Sequence, residues 1–138
     1  AQQLTFHEAL TLASIIERET RADEEKATIA SVFYNRLAEG IRLQTDPTVQ
    51  YALGFDEIEQ TWWKTQLTEA DMQVDSPYNT YLYAGLPPGP IANPSLASLE
   101  AVAYPAQTPY FYFRAKCDGS GTHAFSVTYE EHLNNACP

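Results

Sequence analysis

The sequence predicts an α+β fold that is mostly helical, with one small antiparallel β-hairpin and long loops that line a cleft. Three observations predict it. Capping-box sequences open a helix near each end of the chain, an aromatic run at residues 110–113 precedes a glycine-rich turn, and residues 41–89 have no clear periodicity. The 138 residues suffice for one domain, which we expect to span residues 1–138.

Two helices are predicted in the first 40 residues. The capping box Thr5-Phe6-His7-Glu8 begins the first, which should run to about Glu19. Asp23 is expected to cap the second helix, and Gly40 to end it, because glycine readily adopts the left-handed conformation that follows a helix. The pattern therefore predicts a helical pair joined by a short link.

The middle of the chain is expected to be mostly loop, with one short helix near residues 68–72 and a proline-rich cleft wall at residues 87–90. Loops of this length in a small domain usually line a binding site, so function should be sought there. Asn93 as N-cap, with Pro94 at the first helical position, predicts a third helix that ends at Pro105. Its buried stripe is expected to contain Leu96, Leu99, Val102 and Ala103.

The C-terminal part should be a hairpin followed by a helix. Strands are predicted at residues 110–113 and 123–127, and a capping box at residues 128–131 opens the last helix. Cys117 and Cys137 are too few and too widely spaced for a zinc site of the paired CxxC kind. They allow a disulfide in an oxidising compartment, and the alternative is two free thiols.

The charge balance excludes some classes of partner. Eighteen acidic and eight basic residues give a net charge of −10, which disfavours binding to nucleic acid or to anionic membrane surfaces. No stretch approaches the roughly 20 apolar residues of a membrane span, and no motif predicts a metal or another cofactor. Because the chain starts without Met, we expect it to be a domain excised from a longer protein, with a targeting or anchoring segment upstream.

Glu19 is the strongest candidate for a catalytic side chain. At 100° per residue it falls within the arc formed by Leu12, Ile15 and Ile16, whereas Glu17 falls on the opposite side, which we expect to be solvated. Burial of an ionised carboxylate is costly, so the pKa of Glu19 should rise, as a general acid requires. The alternative is that the helix frays there and leaves Glu19 in solvent.

The residues around Glu19 begin a series of sequence blocks that resembles the endolytic murein transglycosylases, the YceG-like family. The series covers about residues 10–134 in the family's order, and this ordered combination is far more specific than any one block. The blocks are Leu-Ala-Ser-Ile-Ile-Glu-Arg-Glu-Thr at 12–20, Ala-Ser-Val-Phe-Tyr-Asn-Arg-Leu at 30–37, Arg-Leu-Gln-Thr-Asp-Pro-Thr-Val at 42–49, Ser-Pro-Tyr-Asn-Thr-Tyr at 76–81 and Gly-Leu-Pro-Pro-Gly-Pro-Ile-Ala-Asn-Pro at 85–94, followed by the aromatic strand and the turn to His123.

The resemblance implies an enzyme that cuts peptidoglycan glycan strands between N-acetylmuramic acid and N-acetylglucosamine and leaves 1,6-anhydro ends. Glu19-Thr20 matches the Glu-Ser pair of lysozyme-like lytic transglycosylases, which makes Glu19 the catalytic acid on a lysozyme-like catalytic helix, with Glu17 as the alternative. It also implies an extracytoplasmic location, a membrane anchor in the full-length protein, and no cofactor or metal. Glycan strands and cell-wall synthesis proteins are the expected partners.

Several polar residues in the matching blocks are candidates for substrate contact. Gln44 and Asp46 either bind sugar hydroxyls or orient the acid, but the same segment also fits a simple turn in which Asp46 accepts a backbone amide ahead of Pro47. Tyr78 and Asn79 combine an aromatic face with an amide, which suits a sugar site. The full set expected to contact substrate is Gln44, Asp46, Tyr78, Asn79, Thr80 and Asn35.

Other functions remain open from the sequence. A non-catalytic glycan-binding module would keep the cleft but would not cleave the glycan. A scaffold domain would need neither the cleft nor the cleavage activity. A hydrolase would require a second carboxylate, for which Asp46 is the candidate. We interpret His123 and His132 as structural residues, and Arg36 as a stem packed on the core with a solvated head. The alternative for Arg36 is a helper role toward a substrate carboxylate.

Overall fold

The structure, a computed structural model, describes residues 3–138 and confirms a mostly helical fold with a two-stranded antiparallel sheet. None of the described helices has the length and apolar composition that a membrane span requires. The elements in chain order are α1 (Phe6–Glu19), α2 (Lys26–Ala38), α3 (Asp46–Leu53), α4 (Leu96–Ala103), β1 (Tyr112–Ala115), β2 (His123–Ser126) and α5 (Tyr129–Asn134).

The core lies where α4 packs against both α1 and α2. The predicted capping box is present at the start of α1: the amide of Glu8 donates to Thr5 Oγ1, and the amide of Thr5 donates to Glu8 Oε1. The capping box therefore fixes the start of α1, and the fully buried apolar face of the helix lies between this start and Glu19. The buried apolar residues of this core are Leu12, Ala13, Ile15, Ile16, Ile29, Ala30, Phe33, Leu43, Ile91, Ala101 and Val102.

Two predicted N-caps are wrong. Asp23 begins a 3₁₀ turn, Asp23–Glu25, and α2 starts after it with no side-chain cap. Helix α4 begins at Leu96, because the hydroxyl of Ser95 caps it by accepting the Ser98 amide, so Asn93 and Pro94 lie before the helix. Leu96 and Ala103 are consequently exposed rather than part of the buried stripe.

The region predicted to be loop contains a helix that the sequence reasoning missed. One of the two interpretations of Asp46-Pro47 is a turn, whereas both residues belong to the first turn of α3, where proline has no hydrogen bond to lose. The short helix expected near residues 68–72 is a 3₁₀ turn at Asp71–Gln73. The proline-rich stretch packs against α1, where His7 Nε2 lies 2.6 Å from the carbonyl oxygen of Pro88.

The C-terminal elements are of the predicted types, but β1 begins and ends two residues later than predicted. Strands β1 and β2 pair antiparallel with Phe113 opposite Phe125, and α5 opens on the predicted capping box of Thr128 and Glu131. The disulfide between Cys117 and Cys137 is present. It joins the hairpin turn to the chain just after α5, so it fixes α5 against β1.

Loss of this disulfide should lower stability. Cys117→Ser with Cys137→Ser removes a link across 20 residues, and we expect the free energy of unfolding to fall by about 3 kcal/mol, because the unfolded chain gains conformational entropy. Chemical denaturation with and without reductant measures this. The reductant should destabilise the wild-type protein and leave the double variant unchanged, and equal stability of the two proteins without reductant would contradict the prediction.

Candidate active site

A cavity of about 450 Å³ lies between the end of α1, the start of α3, strand β1 and helix α5. It collects polar groups from segments that are distant in sequence, as a substrate site does. The lining residues are Glu19, Phe33, Arg36, Leu43, Gln44, Thr45, Asp46, Tyr81, Phe111, Tyr112, Phe113, Arg114, Ala115, Tyr129 and His132.

Glu19 occupies the last position of α1, with its partly exposed side chain on the cavity. The helix does not fray before it: the amide of Thr20 still bonds to the carbonyl oxygen of Ile16. Desolvation and, second, the negative charge of Asp46 raise the pKa of Glu19 to about 8. Glu19 is therefore protonated at neutral pH and able to donate a proton into the cavity.

Asp46 lies at the start of α3 and is held by Tyr81, a residue that the sequence reasoning did not select. The Tyr81 hydroxyl donates to Asp46 Oδ1 at 2.6 Å. Burial and this hydrogen bond raise the pKa of Tyr81, so the phenol keeps its proton and continues to donate. Within the described residues, the Asp46 side chain accepts this bond from Tyr81 and none from a backbone amide, so the turn-type bond that was the alternative does not form.

Buried hydroxyl groups join the segment of Asp46 to the segment of Tyr81. The amide of Thr45 donates to Thr80 Oγ1 at 2.9 Å, and the hydroxyls of Thr48 and Thr80 lie 2.8 Å apart. Asn79 is completely buried: its Nδ2 donates to the carbonyls of Met72 and Val74, and its Oδ1 accepts the Tyr81 amide at 2.9 Å. Thr80 and Asn79 therefore hold Asp46 and Tyr81 in place from outside the cavity.

The predicted substrate-contacting residues divide into two groups. Gln44 and Asp46 line the cavity together with Glu19, and the positive φ of Gln44, 53°, is a conformation that costs energy for a residue other than glycine. Tyr78 packs against Tyr51, with ring centroids 4.8 Å apart. Asn35 bonds to the carbonyls of Thr108 and Tyr110. The structure thus brings neither of these two, nor Asn79 or Thr80, to the cavity.

The β1 and α5 side of the cavity carries aromatic and basic residues. The ring of His132 stacks on Tyr112 with centroids 5.2 Å apart, and Tyr129 lies beside both rings. The solvated head that we expected for Arg36 is wrong: the residue is 7% exposed, and its guanidinium donates to the carbonyls of Phe111 and Arg42. The periodicity of the sequence does not predict this side of the cavity, because its residues come from three separate elements, α2, β1 and α5.

Glu17 does lie away from the cavity, but the solvated position expected for it is wrong. Its Oε1 accepts the Ser95 amide at 2.7 Å and the Ser98 hydroxyl at 2.8 Å, and Lys26 Nζ is 3.7 Å away. These hydrogen bonds lower the pKa of Glu17 to about 2. Glu17 therefore ties α1 to the N-terminus of α4 as a structural group that is ionised at neutral pH.

Comparison with known proteins places this arrangement in a family. The model of the YceG-like family matches residues 1–137. The chain belongs to the YceG-like family. This YceG-like chain is 45% identical to the endolytic murein transglycosylase of Bacillus subtilis strain 168 over 130 residues, which are 94% of the chain and 34% of that protein. It is 35% identical to the endolytic murein transglycosylase of Streptococcus pneumoniae strain D39, covering 98% of the chain and 24% of that protein.

A solved structure supports the fold. The crystal structure of a YceG-like protein from Listeria monocytogenes superposes on this YceG-like chain with a TM-score of 0.82 and 49% identity. The match covers 95% of the chain and 39% of the Listeria chain. The chain thus spans between about a quarter and two fifths of the length of these relatives.

Glu17→Gln should destabilise the protein by about 1 to 2 kcal/mol, because charge-assisted hydrogen bonds become neutral ones. The pKa of Glu17 lies below its ordinary value of 4.5, so its contribution is complete above pH 4.5 and is lost as the pH falls towards 2. Urea unfolding at several pH values measures both effects. Glu24→Gln, at an exposed position, is the control. Equal stability of the two variants at pH 7 would contradict the role given to Glu17.

Proposed function

We propose that this chain is the catalytic part of an endolytic murein transglycosylase that acts on peptidoglycan outside the cytoplasm. The observation that carries the proposal is the carboxyl group of Glu19, which lines the cavity and has a pKa of about 8. The relatives of this chain are named for this activity. The disulfide supports an oxidising compartment. Peptidoglycan glycan strands are the substrate, and cell-wall synthesis proteins are the partners consistent with this role.

In the proposed mechanism Glu19 acts twice. Its carboxyl proton passes to the glycosidic oxygen as the bond to C1 of N-acetylmuramic acid breaks. The resulting carboxylate then takes the proton of the muramyl C6 hydroxyl while that oxygen attacks C1 and closes the 1,6-anhydro ring. Glu19 ends protonated, so no water and no further base are consumed.

Asp46 supports both steps as a fixed negative charge. Its charge favours the protonated form of Glu19 before the reaction and stabilises positive charge at C1 during bond cleavage. Gln44, which lines the same cavity, supplies an amide for sugar hydroxyls. Asn79 and Thr80 act indirectly, by holding the segments of Asp46 and Tyr81.

A hydrolase is the second candidate, because Asp46 interacts electrostatically with Glu19 and supplies the second carboxylate that activation of water requires. The products distinguish the two. A transglycosylase releases fragments that end in 1,6-anhydromuramic acid, one water lighter than the reducing ends left by a hydrolase. Binding of strands without any product would instead indicate a glycan-binding module.

Glu19→Gln should abolish product release while glycan binding persists, since the amide keeps the size of the side chain but has no acidic proton. Its stability should equal or exceed that of the wild type. The advantage should grow as the pH rises from 4.5 to about 8, where the unfolded wild-type carboxyl ionises but the folded one does not.

The test is mass analysis of fragments released from purified sacculi, with melting temperatures for each variant. Glu17→Gln is the matched control. It should release anhydro products at a temperature well below its melting point. A dead Glu17→Gln enzyme beside an active Glu19→Gln enzyme would overturn the assignment, and reducing ends as the main product would favour the hydrolase.

The pH profile should report the protonation of Glu19. The rate should fall above about pH 8, where the first step loses its proton donor. Asp46→Asn removes a charge that raises the pKa of Glu19, so this limb of the profile should move to lower pH. Glu24→Gln removes an equal charge from an exposed position and should leave the limb unchanged. An Asp46→Asn enzyme with an unshifted limb would contradict the electrostatic coupling.

A further inference from the structure

The cavity has an uneven distribution of charge. Glu19 and Asp46 contribute carboxyl groups where α1 and α3 meet, whereas Arg36 and Arg114 contribute guanidinium groups from α2 and β1. Both arginines lower the pKa of His132, in addition to the larger effect of its burial. The side of the cavity formed by β1 and α5 is therefore electropositive, in a chain whose net charge is −10.

The two arginines differ in what their guanidinium groups contact. That of Arg36 is buried, donates two short hydrogen bonds to backbone carbonyls and lies over the ring of Tyr112, with Cζ 4.8 Å from its centroid. Arg114 is only partly buried, and in the described part of the chain its guanidinium makes one hydrogen bond, from Nη1 to the carbonyl oxygen of His132 at 3.3 Å. Within residues 3–138 no carboxylate lies within 4.0 Å of it. Its remaining donors are therefore available to a ligand.

The surroundings of Arg114 keep its side chain beside the cavity. Its position on β1 is fixed by pairing with Ala124, and its contact with the carbonyl of His132 reaches across to α5. The disulfide holds α5 in place, and the aromatic rings of Tyr112 and His132 form a stacked pair next to it. Aromatic faces beside an arginine suit a sugar that carries a carboxylate.

We propose that Arg114 binds a carboxylate of the glycan substrate and thereby determines which strands the site accepts. The inference rests on the proposed function, because muramyl residues carry a lactyl group. That group either ends in a free carboxylate or is linked to a stem peptide that has carboxylates of its own. A guanidinium binds such a group through two parallel N–H donors, which Lys cannot reproduce.

The test measures strand binding in proteins that also carry Glu19→Gln, so that turnover cannot alter the ligand. Arg114→Gln should weaken binding of strands solubilised from sacculi about tenfold, the effect of one charge-assisted pair. Arg114→Lys should recover part of that loss. Lys116→Gln removes the same charge from the exposed hairpin turn, outside the cavity, and should bind as tightly as its parent.

Modified strands identify the carboxylate. Amidation of all carboxyl groups should abolish the difference between Arg114→Gln and its parent. A difference that persists on strands freed of stem peptides assigns the lactyl carboxylate, and one confined to peptide-bearing strands assigns the stem. Equal affinities of folded Arg114→Gln and Lys116→Gln would overturn the inference, as would an unchanged difference on amidated strands. Failure of the proposed function would appear separately, as absent anhydro products from the wild-type enzyme.

Discussion

The partial burial of one carboxyl group at the end of an apolar helix face is the constraint on which the rest of the site depends. The face of α1 that carries Leu12, Ile15 and Ile16 is fully buried, and continuing it by one turn places Glu19 at the cavity. Hydration is lost there, so the neutral form is favoured. Glu17, only two residues earlier, meets amide and hydroxyl donors and stays ionised. Environment alone gives the two glutamates different roles.

The position of Glu19 is useful only because other polar groups are held around it. Buried hydrogen bonds of Thr45, Thr80 and Asn79 fix the segments that present Asp46 and Tyr81. Such groups are costly to bury without partners, and satisfied networks are correspondingly rigid. Glu17 performs the same task for α1 by joining it to α4, and the disulfide does so for α5. The cavity thus has a fixed shape, although Gln44 and Tyr81 lie in irregular segments.

Local sequence signals predicted the parts of the fold that local interactions determine. The capping boxes of α1 and α5, the hairpin and the arc containing Glu19 depend on residues close in sequence. Helix α3 was missed because Asp-Pro fits a turn and a first helical turn equally well. The roles of Asn79, Thr80 and Glu17 were not predictable, since their partners lie in other segments and only the tertiary structure brings them together. The side of the cavity with Arg114 and His132 was overlooked for the same reason.

The central claim is that the fold keeps Glu19 protonated at neutral pH. The most direct measurement is a ¹³C NMR titration of glutamate side-chain carboxyl groups in the folded protein, with the Glu19 signal assigned by its absence from Glu19→Gln. The account predicts a titration midpoint at about pH 8 for this signal. A midpoint near 4.5, the ordinary value for glutamate, would contradict the account.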